Sequence, residues 1–150
     1  MELVRKSFDE LTREELYDLL KARVDVFVVE QNCPYPELDG LDQNSVHLFC
    51  RQDGRRLAYL RYYRESEDVM RIGRVLTMRR GQGLGRALLK EALKEIERDK
   101  SCACIELDAQ TYAVGFYQKE GFEVISGEFL EDGIRMCGCG AALSGRPVRP

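Results

Sequence analysis

Three glycines alternate at Gly81, Gly83 and Gly85, with Arg80 just before them and Arg86 just after. Glycine lets a backbone approach an anion with no Cβ in the way. If such a segment opens a helix, the helix's first amides and the positive end of its dipole favour a phosphate there. The flanking guanidinium groups add charge-assisted donors. From Val69 to Lys90 the chain carries Arg71, Arg74, Arg79, Arg80, Arg86 and Lys90 and no acid, although its net charge is −3. A local anion site explains this asymmetry, and a solvated charged face is the alternative. Downstream, Tyr117 offers a phenol that is protonated at neutral pH and can donate. Upstream, Glu30, Asp39 and Asp42 are carboxylates that could take a proton, and His47 is the one histidine.

Nucleotide-binding loops do not fit the glycines. A Walker loop needs a lysine after its last glycine, and Arg86 stands there. A Rossmann fingerprint needs glycine at position 86 and an early βαβ setting, and neither is met. A tight turn without a ligand is the remaining plain reading.

The elements that must position these residues follow from periodicity. Thr12 and Glu15 form a capping box, and Leu16, Leu20, Val24, Phe27 and Val28 recur at helical spacing, so a helix is expected to about Val29. Pro34 and Pro36 end it, and residues 34–45 read as a polar, acidic loop with Glu37, Asp39 and Asp42. Residues 47–51 and 57–63 read as strands joined at Asp53-Gly54, and residues 69–78 as a third. After the glycines, Leu88, Ala92 and Ile96, flanked by Leu89 and Leu93, mark an amphipathic helix to about Arg98. A strand over 102–107 completes a βαβ unit whose strands should be parallel. A shorter helix over 112–120 is stopped by Gly121. Strands over 122–130 and 134–143, joined at Asp132-Gly133, follow. The expectation is one α/β domain with a mixed, twisted sheet over 1–143, and a flexible tail over 144–150.

The residues at the loop read R-x-x-G-x-G, as Arg80, Gly83 and Gly85, and a second block reads Ala113, Phe116, Tyr117, Gly121 and Phe122. Together, in this order with the βαβ unit between them, they resemble the two signature blocks of the GNAT superfamily of N-acetyltransferases. Arg23, Val26 to Tyr35, Asp39-Gly40, Asp42, His47, Ile72 to Val75 and Glu131 to Ile134 resemble its ElaA-like branch. The likeness covers about residues 11–143. It implies a GNAT-like fold that binds acetyl-coenzyme A through Val75, Leu76, Thr77, Arg80, Gly81, Gln82, Gly83, Leu84, Gly85, Arg86 and Gln110. Gln110 stands where relatives carry asparagine. The stretch from Val75 to Arg80 is about two residues shorter than in many relatives. Arg135-Met136 replaces a common Pro-His, so no role of that histidine carries over.

Acetyl transfer to an amine by direct attack in a ternary complex sets three tasks. The alkylammonium, with a pKa of about 10, must lose its proton. The tetrahedral oxygen must be stabilised and the leaving thiolate protonated. Amides around Val75 and Thr77 suit the second task and Tyr117 the third, with packing on the sheet as its plain alternative. Glu30, at the end of the first helix, is the best-placed base, ahead of Asp39, Asp42 or a water relay. His47 reads as structural more readily than as a base. The acidic segment from Glu30 to Asp42 would draw a cationic acceptor, whether a small molecule or a peptide amine.

The remaining observations exclude classes. The apolar runs are too short to span a membrane, and no basic-then-apolar leader follows Met1, so the cytoplasm is the expected location. An acidic protein is a poor nucleic-acid binder. The pairs Cys102/Cys104 and Cys137/Cys139 lack zinc-knuckle spacing and read as small core side chains on strands, so no metal is expected. The resemblance is compatible with a homodimer. The rival functions are a non-enzymatic acyl-coenzyme A-binding or regulatory module and an interaction scaffold. An intact loop and Tyr117 argue for the enzyme.

Overall fold

The computed structural model describes residues 1–99 and 102–143, so the tail expected over 144–150 lies outside the described residues. The chain divides into two compact units: Met1–Tyr63 with Arg74–Ala92, and Arg64–Gly73 with the described part of Leu93–Pro150.

The first unit is built on antiparallel pairing. Strand β1 (Glu2–Ser7) pairs with β2 (Val46–Gln52), Glu2 opposite Arg51 and Ser7 opposite Val46. Strand β2 pairs with β3 (Arg55–Arg64), with a bulge between Cys50 and Arg51. Asp53 and Gly54 turn the hairpin at φ +52° and +75°, the geometry that the Asp-Gly pair favours. Helix α1 (Arg13–Arg23) starts at the expected capping box: Glu15 N–H donates to Thr12 Oγ1 at 3.0 Å, and Thr12 N–H to Glu15 Oε1 at 2.9 Å. Its apolar face lies on a core of Val4, Leu19, Phe49, Tyr59 and Leu76, joined by Leu16 and Leu20. The five buried aromatic and aliphatic side chains of this core contribute about 1.5–3 kcal/mol each relative to exposure.

Two features differ from expectation. Strand β1 is additional to the elements read from the sequence. The α-helical pattern ends at Arg23, and Val24–Glu30 continues as a π-helix. A run of Val, Phe and Val has low α-propensity, and Cys33 N–H closes an i to i−5 bond on the Val28 carbonyl at 3.0 Å. Wide turns of this kind recur at functional sites.

Strand β4 (Val69–Thr77) begins in the second unit and ends in the first, and helix α2 (Leu84–Arg98) runs the opposite way. Leu88, Leu89, Ala92 and Ile96 are buried, as their spacing requires. In the second unit β4 pairs in parallel with β5 (Cys104–Gln110), Val69 opposite Cys104, which is the expected βαβ pairing. Strand β5 pairs antiparallel with β8 (Ile134–Ala142), and β6 (Glu123–Val124) and β7 (Phe129–Glu131) both pair with β8. Parallel and antiparallel pairing thus both occur, the mixed sheet expected. The single strand expected over 122–130 is two short ones. Between them Ser126 Oγ accepts from Gly138 N–H at 2.8 Å, and a Cβ at Gly138 would meet that oxygen at 3.0 Å. Helix α3 (Val114–Gln118), shorter than expected, runs into a turn that closes at Gly121, φ +95°, with Phe122 N–H on the Tyr117 carbonyl.

Cys102, Cys104 and Cys139 are buried and Cys137 is half-buried, and all are free thiols, in keeping with core side chains. No helix among the described residues is long and apolar enough to cross a membrane.

Candidate active site

In the first unit the glycine loop lies between β4 and α2, at the head of the helix, as the sequence implied. Gly81 and Gly83 adopt φ +81° and +69°, where a Cβ is disfavoured, and nothing stands within 4 Å of the Cβ either would carry. The loop is therefore shaped by glycine and open on the side where a ligand would approach. Gly81, Gln82, Gly83 and Arg86 are exposed, whereas Leu84 is buried and Gly85 lies in the first turn of α2. Ala87 N–H makes an early helical bond, to the Gly83 carbonyl at 3.0 Å. Curved backbone, a helix N-terminus and an exposed arginine are features that could hold an anionic group.

Val75, Leu76 and Thr77 form the end of β4 that leads to the loop. The Leu76 side chain is 4% exposed in the core, so this residue can face a donor only through its backbone. Val75 and Thr77 are half-buried. Just before them, Arg74 sits at φ +55° inside a strand, a conformation that costs a non-glycine residue about 1–3 kcal/mol.

Glu30 and Arg80 meet: Arg80 Nη2 donates to Glu30 Oε1 at 2.6 Å, with side chains 78% and 54% exposed. The candidate base and the candidate phosphate ligand thus form one exposed ion pair, worth about 0–1 kcal/mol.

The carboxylates of the acidic loop, expected to draw a cationic acceptor, are instead paired with arginines of the chain itself. Arg23, fully buried on α1, donates from Nε to Glu37 Oε2 at 2.9 Å and from Nη1 to Asp42 Oδ1 at 2.6 Å. Arg61 donates from Nη1 to the same Asp42 oxygen at 2.8 Å and also binds Asp39. Arg74 donates from Nε to Glu37 Oε2 at 2.6 Å and reaches Asp39 Oδ2 at 3.2 Å. Three arginines thus neutralise three carboxylates. Burial works against ionising Asp39, but the hydrogen bonds from Arg61 and the Leu41 amide, with the charges of Arg61 and Arg74, bring its carboxyl down to about 2. Asp42 is likewise lowered, burial being outweighed by Arg23 and Arg61. Asp39 and Asp42 are therefore committed to ion pairs, which leaves Glu30 as the carboxylate of this segment at an open site. Among the partners, Arg61 was not singled out in the sequence, because its pairing spans 19 to 22 residues and follows no local spacing.

His47 is fully buried. Its Nε2 stands 3.0 Å from the Asp42 carbonyl, which can only accept, so Nε2 carries the proton and Nδ1 accepts from the Tyr59 hydroxyl at 2.7 Å. Burial lowers its pKa and keeps it neutral, although the Asp42 carbonyl bond opposes the shift. Both nitrogens are used, which fits the structural role.

In the second unit Gln110 ends β5 opposite Met136, and Tyr117 on α3 makes T-shaped contacts with Phe116 and Phe122, ring centroids 5.0 and 5.9 Å away. Tyr117 is buried, and burial raises its phenol pKa, so it holds its proton at neutral pH. No group of metal-ligating side chains occurs among the described residues.

The chain is similar to known proteins. Residues 9–138 match the model of the acetyltransferase (GNAT) domain. A UPF0039 protein from Schizosaccharomyces pombe is 41% identical over 89% of this chain and 92% of its own. The crystal structure of an acyl-CoA N-acyltransferase from Pseudomonas aeruginosa aligns with a TM-score of 0.87 at 39% identity, covering 95% of this chain and 100% of that one. Escherichia coli ElaA aligns with a TM-score of 0.87 at 32% identity, covering 93% and 98%.

Proposed function

The chain belongs to the GNAT acetyltransferase family, in its ElaA-like branch, and we propose that it transfers the acetyl group of acetyl-coenzyme A to a primary amine of a small molecule or peptide. The observation that carries this reading is the open, glycine-shaped loop at the head of α2 with an exposed arginine beside it. Its amides from Gly81 to Arg86, with the side chains of Arg80 and Arg86, would hold the donor's pyrophosphate. The amides of Val75, Leu76 and Thr77 would face the pantetheine and the thioester oxygen, and the Gln110 amide would bind the donor as well. The Glu30–Arg80 pair supports this use. An exposed pair of so little net worth yields readily to a pyrophosphate, which offers the guanidinium more charge.

The thioester supplies an activated acyl carbon, and the chain's residues manage protons around it. Glu30, directly or through a water, takes one proton from the ammonium. The amine nitrogen then bonds to the carbonyl carbon and the C–S bond breaks. Tyr117 gives its hydroxyl proton to the thiolate sulfur and regains one from the second N–H lost by the nitrogen. The other proton leaves to solvent, so the sum is one amide, one thiol and one proton.

The test is turnover of acetyl-coenzyme A with a panel of primary amines, reading thiol release and N-acetylated product together. With an amine so found, Tyr117→Phe is expected to lower kcat by about ten- to a thousandfold and leave the Kd for acetyl-coenzyme A nearly unchanged. Full activity in the variant would reduce Tyr117 to packing.

A further inference from the structure

Among the described residues, four other than glycine adopt the left-handed backbone region: Asn32, Asp53, Arg74 and Asp132. Three of them are Asn or Asp, whose short polar side chains tolerate it. Asp53 and Asp132 also stand before a glycine in a hairpin turn. Arg74 fits neither description, for it lies inside β4 at φ +55° and nothing in its residue type favours that conformation. Something outside the backbone must hold it there.

The side chain of Arg74 is held at several points. Nε donates to Glu37 Oε2 at 2.6 Å, and Nη2 donates to the Glu37 carbonyl at 3.1 Å and to Asp39 Oδ2 at 3.2 Å. The guanidinium also lies over the Tyr35 ring, 5.8 Å from its centroid. Glu37 is itself fixed: it is 4% exposed, Arg23 reaches its Oε2 from Nη2 at 2.8 Å, and the Tyr35 hydroxyl donates to Oε1. Two residues further along β4, Leu76 is locked in the core. The backbone between Arg74 and Leu76 is thus clamped at one end by a buried carboxylate and at the other by a buried leucine. A reversal of φ within a strand re-aims the residues that follow.

We infer that Glu37 is a positioning residue: through Arg74 it holds β4 in its left-handed turn and so sets the direction of the amides from Val75 to Thr77. The catalytic consequence rests on the reading of those amides as the face toward the thioester; the backbone claim does not.

Glycine and alanine at position 74 separate the possibilities. Both remove the ion pair, but only glycine adopts positive φ without strain. R74G is expected to melt about 2–4 °C above R74A, the reverse of the usual order inside a strand. With an amine that the wild type acetylates, R74A should lose kcat by at least about tenfold relative to R74G, with KM for the amine within about twofold. E37Q should lower kcat in the wild-type background and have little further effect on R74G, because glycine no longer needs to be held. An R74A variant as stable as R74G, or an E37Q effect on kcat of equal size in both backgrounds, overturns the inference. Wild-type protein that acetylates no amine would instead sink the proposed activity, and the melting comparison would still decide the backbone claim.

Discussion

Among the arginine–carboxylate contacts of the first unit, those of the acidic loop and the Arg80–Glu30 pair differ in one respect that decides their use. The Arg23, Arg61 and Arg74 array with Glu37, Asp39 and Asp42 is largely buried, Arg23 completely. The Arg80–Glu30 pair is mostly in solvent. Ion pairs removed from water are tied to their geometry, since separating them would strand an unsolvated charge. An exposed pair exchanges partners at little cost, because water and ions compensate each half. The same two chemical groups therefore serve as a fixed frame in one place and as an open contact in the other. An acidic loop that looks in sequence like a landing surface for cations is mostly frame.

Breaking the frame should have the largest effect. Asp42→Ala leaves Arg23 and Arg61 without their shared acceptor and is expected to cost about 3–5 kcal/mol, a large part of the stability of a domain of this size. Chemical denaturation measures it, and a cost below about 1 kcal/mol would mean that the buried pairs are not what holds the loop.

His47, bonded to the carbonyl of Asp42, gives a milder way to load the same frame. Its pKa is lower folded than unfolded, so the unfolded chain binds more protons as the pH drops below about 6.5. The stability due to its neutral form is complete above that pH and is lost as the pH falls, by at most about 1.4 kcal/mol per unit. Urea midpoints across pH 8 to 5.5 should decline in this sense, and His47→Gln should flatten the slope over that range. An unchanged slope in the variant would assign the decline to other groups.

Glu30→Gln sharpens the contrast from the exposed side. It removes the charge and keeps the shape, so stability should change by less than about 1 kcal/mol. Yet kcat/KM for the amine should fall while the Kd for acetyl-coenzyme A holds. If kcat/KM stays within about twofold, a difference of about 0.4 kcal/mol, Glu30 neither draws the amine nor takes its proton.

What the sequence shows and what it hides divide along the same line. Local signals are legible. Thr12 and Glu15 announce the start of α1, Asp53-Gly54 the hairpin, and Leu88, Ala92 and Ile96 the buried face of α2. The alternating glycines mark their own loop because each constraint lies within a few residues. Strand β1 escapes because Val4 alone of its side chains is buried, so no two-residue rhythm appears. The π-helical turn escapes because seven residues are too few to distinguish its period from that of an α-helix. The buried array escapes for a different reason: Arg74 and Glu37 are 37 positions apart, and only the folded chain brings them together. Arg23, Asp39, Asp42 and Arg74 are all visible in the ElaA-like motifs, but nothing in their spacing says that they neutralise each other.

The central claim is that the glycine loop, and not the charged frame, receives the donor, and the melting temperature with and without acetyl-coenzyme A tests it most directly. At a concentration about a hundredfold above Kd, binding to the folded state alone adds about 2.7 kcal/mol, or about 5–10 °C for a domain of this length. Gly83→Glu puts a side chain and a negative charge where the phosphates would lie, and Arg80→Glu reverses the adjacent charge without touching a strained backbone. A clear rise is expected for the wild type and none for either variant, each variant first shown to unfold cooperatively without ligand. A rise of wild-type size in both folded variants would contradict the claim.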